Sequence, residues 1–308
     1  MSLPNTPYLI VLSGPTAVGK TKLSMSLAQH YDIPILSADS RQIYREMTIG
    51  TAQPSKEQLK EVHHYFINSH SIHQPYTAGD YEKEAMAVLR KQYQSRNIAL
   101  LVGGSQFYIQ ALLKGLDSFP TISSKTKEQV LFDLDQKGGA NLQEELKEKD
   151  PQSYRSIDIQ NPRRLARAIM VIRQSGKTFS SFKSRAPASR PFIPIYIQLV
   201  RPRVELYDRI NQRVDLMVDA GLEEEARKLY PFRHLKACDT VGYREWFQYF
   251  DGTWDREKCI EKIKQHTRNY AKRQLTWFRK EADRWNQFAP DQEKEIRGFL
   301  QVEVESPK

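Results

Sequence analysis

Short apolar runs alternate with helical periodicity through the first third of the chain. The runs at 8–12, 33–36 and 98–102 are too short for helices and are bounded by Gly, Pro, Ser or Asp, so they predict buried strands. Between them, helical spacing starts at Lys20, with Leu23, Leu27 and Ala28 on one face, and again covers about 79–94. This alternation predicts an α/β fold with a parallel sheet flanked by helices. A later run, 192–199, is assigned to the same sheet, which makes the polar and mostly helical stretch between an insertion. Turn signals stand at Gly138-Gly139 and Asp150-Pro151, and a basic helix is expected over 163–174. Beyond 199 the pattern is helical over 203–229 and 255–285. The domain reading is a core of 1–120 and 188–308 interrupted by a helical domain of 121–187, with no internal repeat.

Behind the first run stand Gly14, Pro15, Thr16, Ala17, Val18, Gly19, Lys20 and Thr21, the pattern G-x-x-x-x-G-K-[ST]. A loop of this kind turns successive backbone N–H groups inward around a diphosphate, with the lysine as a point charge and the Thr21 hydroxyl within reach of a magnesium ion. The helix from Lys20 aims its N-terminus at the same anion. Strand, loop and helix come in the order that a P-loop requires.

What surrounds the loop narrows its use. The run at 98–102 leads into Gly103, Gly104 and Ser105, with no carboxylate of the sort that holds the metal in a nucleoside triphosphatase. No N-K-x-D tetrapeptide for reading guanine is present. The acid at a strand end near the loop is Asp39, followed by Ser40, Arg41 and Gln42; it can hold a metal, take a proton, or cap a helix start.

Composition adds a partner. The 308 residues carry 47 Lys plus Arg against 37 Asp plus Glu, a formal charge of +10 that suits a polyanion. Cys238 and Cys259 lack metal-ligand spacing and are expected to be free thiols in a reducing compartment. No apolar stretch has the length of a membrane span, so no membrane partner and a cytoplasmic location are expected. His63, His64, His70 and His73 are poorly spaced for one ion and are not assigned to a metal. The segment at Thr77–Asp80 is expected to open a helix.

The motifs GPTAVGKT (14–21), ADSRQIY (38–44) with IGTAQP (49–54), LVGGSQFY (101–108), NPRRLARAI (161–169), VGYREW (241–246) and AKRQLTWFRK (271–280) come in one order. Together they resemble the bacterial tRNA dimethylallyltransferases, the tRNA isopentenyltransferase family. The resemblance implies a P-loop NTPase-like core with a helical insertion that contacts tRNA. It also implies transfer of a dimethylallyl group from dimethylallyl diphosphate to N6 of the adenosine 3′-adjacent to the anticodon, with Mg2+ as cofactor and the tRNA anticodon stem-loop as partner; a monomer is expected, though the sequence leaves the oligomeric state open. Asp39 then becomes the candidate general base, because an amine conjugated to a purine attacks well only as its proton is removed. Ser105, where the family usually has threonine, would bond the bridging oxygen, and Arg244 would meet the diphosphate. Arg209 and Arg213, four apart on one helical face, can serve the same anion or form a solvated face.

For RNA the resemblance assigns Asp39, Ser40, Arg41, Gln42, Ser105, Lys127, Arg163, Arg164, Leu165, Ala166 and Arg167, and Lys272 joins them from the charge pattern of the last long helix. Lys264, Arg268 and Lys272 form a stripe at spacing four, opposite Ile260, Ile263, Ala271, Leu275 and Phe278; phosphate binding and a solvated face both explain it. Buried adenine must be extruded before its amine can react, and a channel between sheet and insertion is expected to admit it. Two rival readings are a small-molecule ATP kinase and a non-catalytic, nucleotide-controlled RNA-binding protein.

Overall fold

A computed structural model of the chain describes residues 6–183 and 188–305. The end of the expected insertion, at 187, lies outside the described residues. The chain divides into two compact units, one built from everything up to Leu113 together with Arg190 onward, the other from Lys114–Ser189.

In the larger unit the elements run β1 (Tyr8–Ser13), α1 (Lys20–Tyr31), β2 (Ile35–Ala38), α2 (Lys56–Glu61), β3 (His64–Tyr65), α3 (Ala78–Gln92), β4 (Ile98–Gly103) and α4 (Gln106–Lys114). The smaller unit holds α5 (Ser124–Lys149), α6 (Pro151–Ser156) and α7 (Pro162–Ser175). The chain then returns through β5 (Ile193–Leu199), α8 (Arg203–Asp219), α9 (Leu222–Leu229), α10 (Arg244–Phe250), α11 (Arg256–Lys280), β6 (Asn286–Phe288) and α12 (Glu293–Glu305). The strands form one parallel six-stranded sheet in the order β3-β2-β4-β1-β5-β6. The expected strands all form, with ends shifted by a residue or two, and the short edge strands β3 and β6 join them.

Alternation along β1 sorts the core onto the two faces of the sheet. Leu9 and Val11 pack with Tyr81, Leu89, Tyr108 and Trp246, whereas Ile10 and Leu12 pack with Leu23, Leu27, Leu206 and Ile296. All six residues of β1 are buried, as expected of a central parallel strand covered on both sides. The helix at 77–80 starts with a capping box between Thr77 and Asp80. The helical stretch 203–229 is two helices, parted at Gly221 in the left-handed region (φ 96°). Among the described residues no helix is long and apolar enough to cross a membrane.

The smaller unit has its own core of Val130, Leu142, Leu146, Leu165, Ile169 and Ile172. Its long helix α5 breaks at Gly138, where φ is 74° and ψ 176°, as the paired glycines suggested. The two halves are held by one arginine. Arg173 of α7 donates to Asp133 before the break (2.6 Å) and to Glu145 after it (2.5 Å). The Asp150 turn is fixed in the same manner: its carboxylate accepts from Ser153 N (3.0 Å) and Ser180 N (2.7 Å).

Hydrogen bonding to Arg173 holds the Asp133 and Glu145 carboxyls below the usual carboxylate range. A depressed folded-state pKa contributes stability that is present above the unfolded value and is lost as pH falls through the folded one. Arg173→Met is therefore expected to speed proteolytic cleavage near Gly138 several-fold at neutral pH. Acidification should remove the difference between the variant and the native chain, which limited proteolysis across pH will measure.

Candidate active site

Strand register brings the site together. Gly103 of β4 stands opposite Ser13 of β1 on one side and Ala38 of β2 on the other. The P-loop, the Gly104-Ser105 turn and the Asp39-Gln42 turn therefore leave the sheet at one level, at the carboxyl ends of the strands, where parallel sheets bind ligands. Cross-links lock that level: Ser13 Oγ donates to Gly103 O (2.7 Å) and Ser105 N to Ala38 O (3.1 Å). A Cβ on Gly103 would collide with the Ala38 carbonyl, so only glycine permits this approach. Gly14 is constrained as well, with φ 150° and the Leu199 carbonyl 2.7 Å from where a Cβ would sit.

The P-loop is ringed by cations. Lys20 Nζ donates to Gly14 O and Pro15 O (2.9 Å each). Arg209 Nε donates to Ala17 O (2.9 Å), and Arg213 reaches Thr16 Oγ1 (3.4 Å). Both lid arginines thus lie on the loop, and neither is a purely solvated face. Together with Thr21 and Asp39 these residues line a cavity of about 730 Å³. Burial, and next the Arg213 charge, lower the Lys20 ammonium to about 8, with Asp39 opposing the fall. Burial also lowers Arg213, which Asp39 supports and Arg209 opposes. The cavity wall carries Lys20, Lys22, Arg209 and Arg213 against Asp39 and Glu61, and burial disfavours the charged forms of Lys20 and Arg213.

Of the roles left open by the sequence, the structure shows Asp39 in the cap. Its Oδ1 accepts from Arg41 N (2.9 Å) and Gln42 N (3.4 Å), which is the cap. Its Oδ2 has no hydrogen-bond partner among the described residues, and Asp39 lines both the first cavity and a second of about 330 Å³ that contains Arg244. Ser40 N donates to Ser105 Oγ (2.9 Å), which donates on to Ser40 Oγ (3.2 Å). The Arg41 guanidinium is spent on carbonyls of 236–239 and the Gln42 amide on Thr51 O and Ala52 O (3.1 and 3.0 Å). Arg41 nevertheless lines the second cavity and, with Ser40 and Ser105, a third of about 680 Å³.

In the smaller unit Arg163, Arg164 and Arg167 face outward at the start of α7, and Lys127 is exposed in the first turn of α5. Asn161 Oδ1 caps α7 through Arg163 N (3.1 Å) and Arg164 N (3.3 Å), and Arg167 lies over the Phe119 ring. Leu165 and Ala166 do not belong with these cations as ligand contacts: both side chains are buried in the unit's own core. The stripe on α11 also needs correction. Lys264 pairs with Asp215 (2.5 Å) and Arg268 donates to Asn211 (2.6 Å), so both knit α11 to α8. Lys272 remains exposed.

The histidines have other partners, His63 edge-on to Tyr65 and His70 against Tyr76. Cys238 and Cys259 are buried free thiols, pushed by burial up to about 11 and about 12.

Several site residues escaped the sequence reading. Gln274 of α11, 2% exposed, accepts from Thr16 N and donates to Gly104 O (2.9 Å each), bridging two of the three loops. Tyr270, one turn earlier, lines all three cavities; burial and then Asp39 raise its phenol, so it stays protonated and hydrogen-bonds Ser105. Arg201 Nε holds Val18 O (2.8 Å). Glu225 accepts from the N–H groups of Thr48, Ile49 and Gly50 and from the Tyr243 hydroxyl, all within 3.0 Å. Gln274 falls inside the AKRQLTWFRK motif without a role assigned there, and the others have no local motif beyond their residue type, because each acts across a long stretch of chain.

A family model described as IPP transferase matches residues 42–281. The chain belongs to the IPP transferase family. Curated relatives include tRNA dimethylallyltransferase 1 of Bacteroides fragilis, 47% identical over 96% of this chain and 98% of its own length, and tRNA dimethylallyltransferase of Flavobacterium johnsoniae, 46% identical over 96% and 97%. Among solved structures, tRNA isopentenylpyrophosphate transferase of Bacillus halodurans is 32% identical with a TM-score of 0.71 and covers 97% of both chains. A eukaryotic dimethylallyltransferase acting on tRNA is 25% identical with a TM-score of 0.76, over 88% of this chain and 70% of its own.

This IPP transferase offers hard oxygen donors for a divalent ion, the Thr21 hydroxyl and Asp39, on the wall of the first cavity. Among the described residues no group of three or more His, Cys, Asp or Glu could cage a metal, so a Mg2+ held here would share its coordination with substrate phosphates. Anion binding should restore the Lys20 charge, so the pKa in the complex exceeds that of the empty site. The lysine's contribution to affinity is then complete below about pH 8 and declines above it. Calorimetry with inorganic diphosphate from pH 7 to about 9.5 should show the affinity advantage of the native enzyme over Lys20→Met shrinking as pH rises.

Proposed function

We propose that this enzyme uses the P-loop to grip the leaving group of dimethylallyl diphosphate while Asp39 prepares the amine of a tRNA adenosine. The chain is a tRNA dimethylallyltransferase, moving the five-carbon group to N6 of the adenosine 3′-adjacent to the anticodon. The observation that carries the residue roles is the shared wall: a P-loop cavity crowded with Lys20, Arg209 and Arg213 meets, at Asp39, a second cavity lined by Arg244 and Tyr270.

In the reaction the allylic carbon–oxygen bond breaks, its electron pair leaves with diphosphate, the N6–carbon bond forms, and the N6 proton passes to Asp39 Oδ2. Charge gathers on the diphosphate as the carbon loosens, and donors fixed before the reaction stabilise it most. Lys20, the loop N–H groups and the lid arginines meet it on one side and Arg244 on the other. Mg2+, when bound at Thr21, supplies further positive charge to the same oxygens. Ser105 exchanges its Ser40 contact for the bridging oxygen, and Tyr270 remains to hold it. Arg163, Arg164, Arg167 and Lys127 take RNA phosphates from the smaller unit, as does Lys272 from α11, while Ser40, Arg41 and Gln42 border the target nucleotide. We place the reaction in the cytoplasm, with tRNA.

Incubating the enzyme with undermodified tRNA and dimethylallyl diphosphate, then weighing the digested nucleosides, should reveal adenosine heavier by one isopentenyl unit. Asp39→Asn keeps an oxygen to cap Arg41 N–H but removes the base, so it should lower kcat by about 10²–10⁴ while tRNA affinity is unchanged; native turnover would reduce Asp39 to a cap. A second prediction concerns RNA. Replacing Arg163, Arg164 and Arg167 together by alanine should flatten the log–log salt dependence of tRNA binding by about 2 and leave diphosphate affinity intact.

A further inference from the structure

Arg244 is held by a carboxylate to which the proposed reaction gives no task. Glu245, next in the chain at the start of α10, is 1% exposed. Its Oε2 accepts from Gly242 N (2.8 Å), and its Oε1 accepts from Arg244 Nε (3.2 Å) and lies 2.6 Å from His266 Nδ1 of α11. A buried carboxylate is costly unless paired and hydrogen-bonded, and here both oxygens are engaged.

The point of attachment matters. An arginine held at Nε has the plane of its guanidinium set while the terminal Nη fork stays available for two-pronged contact with phosphate. The other neighbour of that fork is weak: Asp239 lies 3.8 Å from Nη1, and both side chains are about half exposed. The same turn is steadied from its other side by Tyr243, fully buried, whose hydroxyl is on Glu225 (2.6 Å). Arg244 thus stands on a rigid base and faces the cavity that Asp39 and Arg213 also line.

We propose that Glu245 is a positioning residue for the transfer, aiming the Arg244 fork at the diphosphate, with His266 bracing the carboxylate from α11. The inference rests on the assignment of Arg244 to the diphosphate made above. It predicts that Glu245 acts through Arg244 and through nothing else in the site.

A double-mutant cycle reads this directly, with kcat/KM for dimethylallyl diphosphate measured at saturating tRNA. Glu245→Gln keeps the shape and an acceptor for Gly242 N–H but removes the charge. It should lower kcat/KM by roughly 10- to 100-fold without changing the KM for tRNA. In an Arg244→Ala background the same substitution should cost less than about twofold. Losses that multiply across the cycle, or a Glu245→Gln enzyme with native kcat/KM, overturn the proposal. Should Glu245→Gln fail to fold, Glu245→Asp takes its place in the same cycle under the same criteria. Native turnover in Arg244→Ala alone would sink the Arg244 assignment and this inference with it, and that single variant tells the two failures apart.

Discussion

The site depends on three parallel strands ending in register. Gly103 sits between Ser13 and Ala38, and the absence of a side chain lets the three backbones close up. A shift of one residue would send each following loop to a different height and turn its side chains to the other face. Because the register holds, the P-loop, the Asp39 turn and the Gly104-Ser105 turn share one wall. Gln274 then ties two of them together from a helix far along the chain, with both ends of its amide satisfied and almost no exposure. Buried side-chain amides of this kind are costly to leave half-bonded, which makes the bridge specific as well as strong.

On that frame the electrostatics are deliberately unbalanced. Lys20 is lowered to about 8, and Arg213 is lowered too, because burial and neighbouring cations oppose their charge while Asp39 offers partial relief. Elsewhere charges are compensated inside the protein, as where Arg173 clasps Asp133 and Glu145. Where compensation is complete the groups hold architecture in place. At the P-loop the cavity wall keeps more cations than carboxylates, Lys20, Lys22, Arg209 and Arg213 against Asp39 and Glu61.

Local chemistry made part of the site legible. Gly14 to Thr21 stood out because two glycines, a lysine and a hydroxyl follow one another in a short loop between strand and helix. Asp39 stood at a strand end; one of its oxygens caps the turn that follows, and the other has no hydrogen-bond partner among the described residues. Arg209 and Arg213 were legible as a pair from helical spacing, although only the fold laid them on Ala17 and Thr16. The α11 stripe misled for the same reason that Arg209 succeeded: spacing says which side chains share a face, and nothing about what covers it. There Asp215 and Asn211 of α8 cover Lys264 and Arg268. Leu165 and Ala166 lay inside an arginine-rich motif, yet helical geometry turns them to the core while their neighbours face out.

From sequence alone came the elements whose cause is local: the four central strands, the P-loop, the helix it opens, the breaks at Gly138 and Asp150, and the ordered motifs of a family. Their determinants are backbone sterics and periodicity within a few residues. Tertiary structure alone decided which distant groups complete the site. Tyr270, Gln274 and Glu225 act across long separations, and a hydrogen bond between such partners is fixed by where the packed sheet and helices place them, a property of the whole fold that no short stretch of sequence encodes.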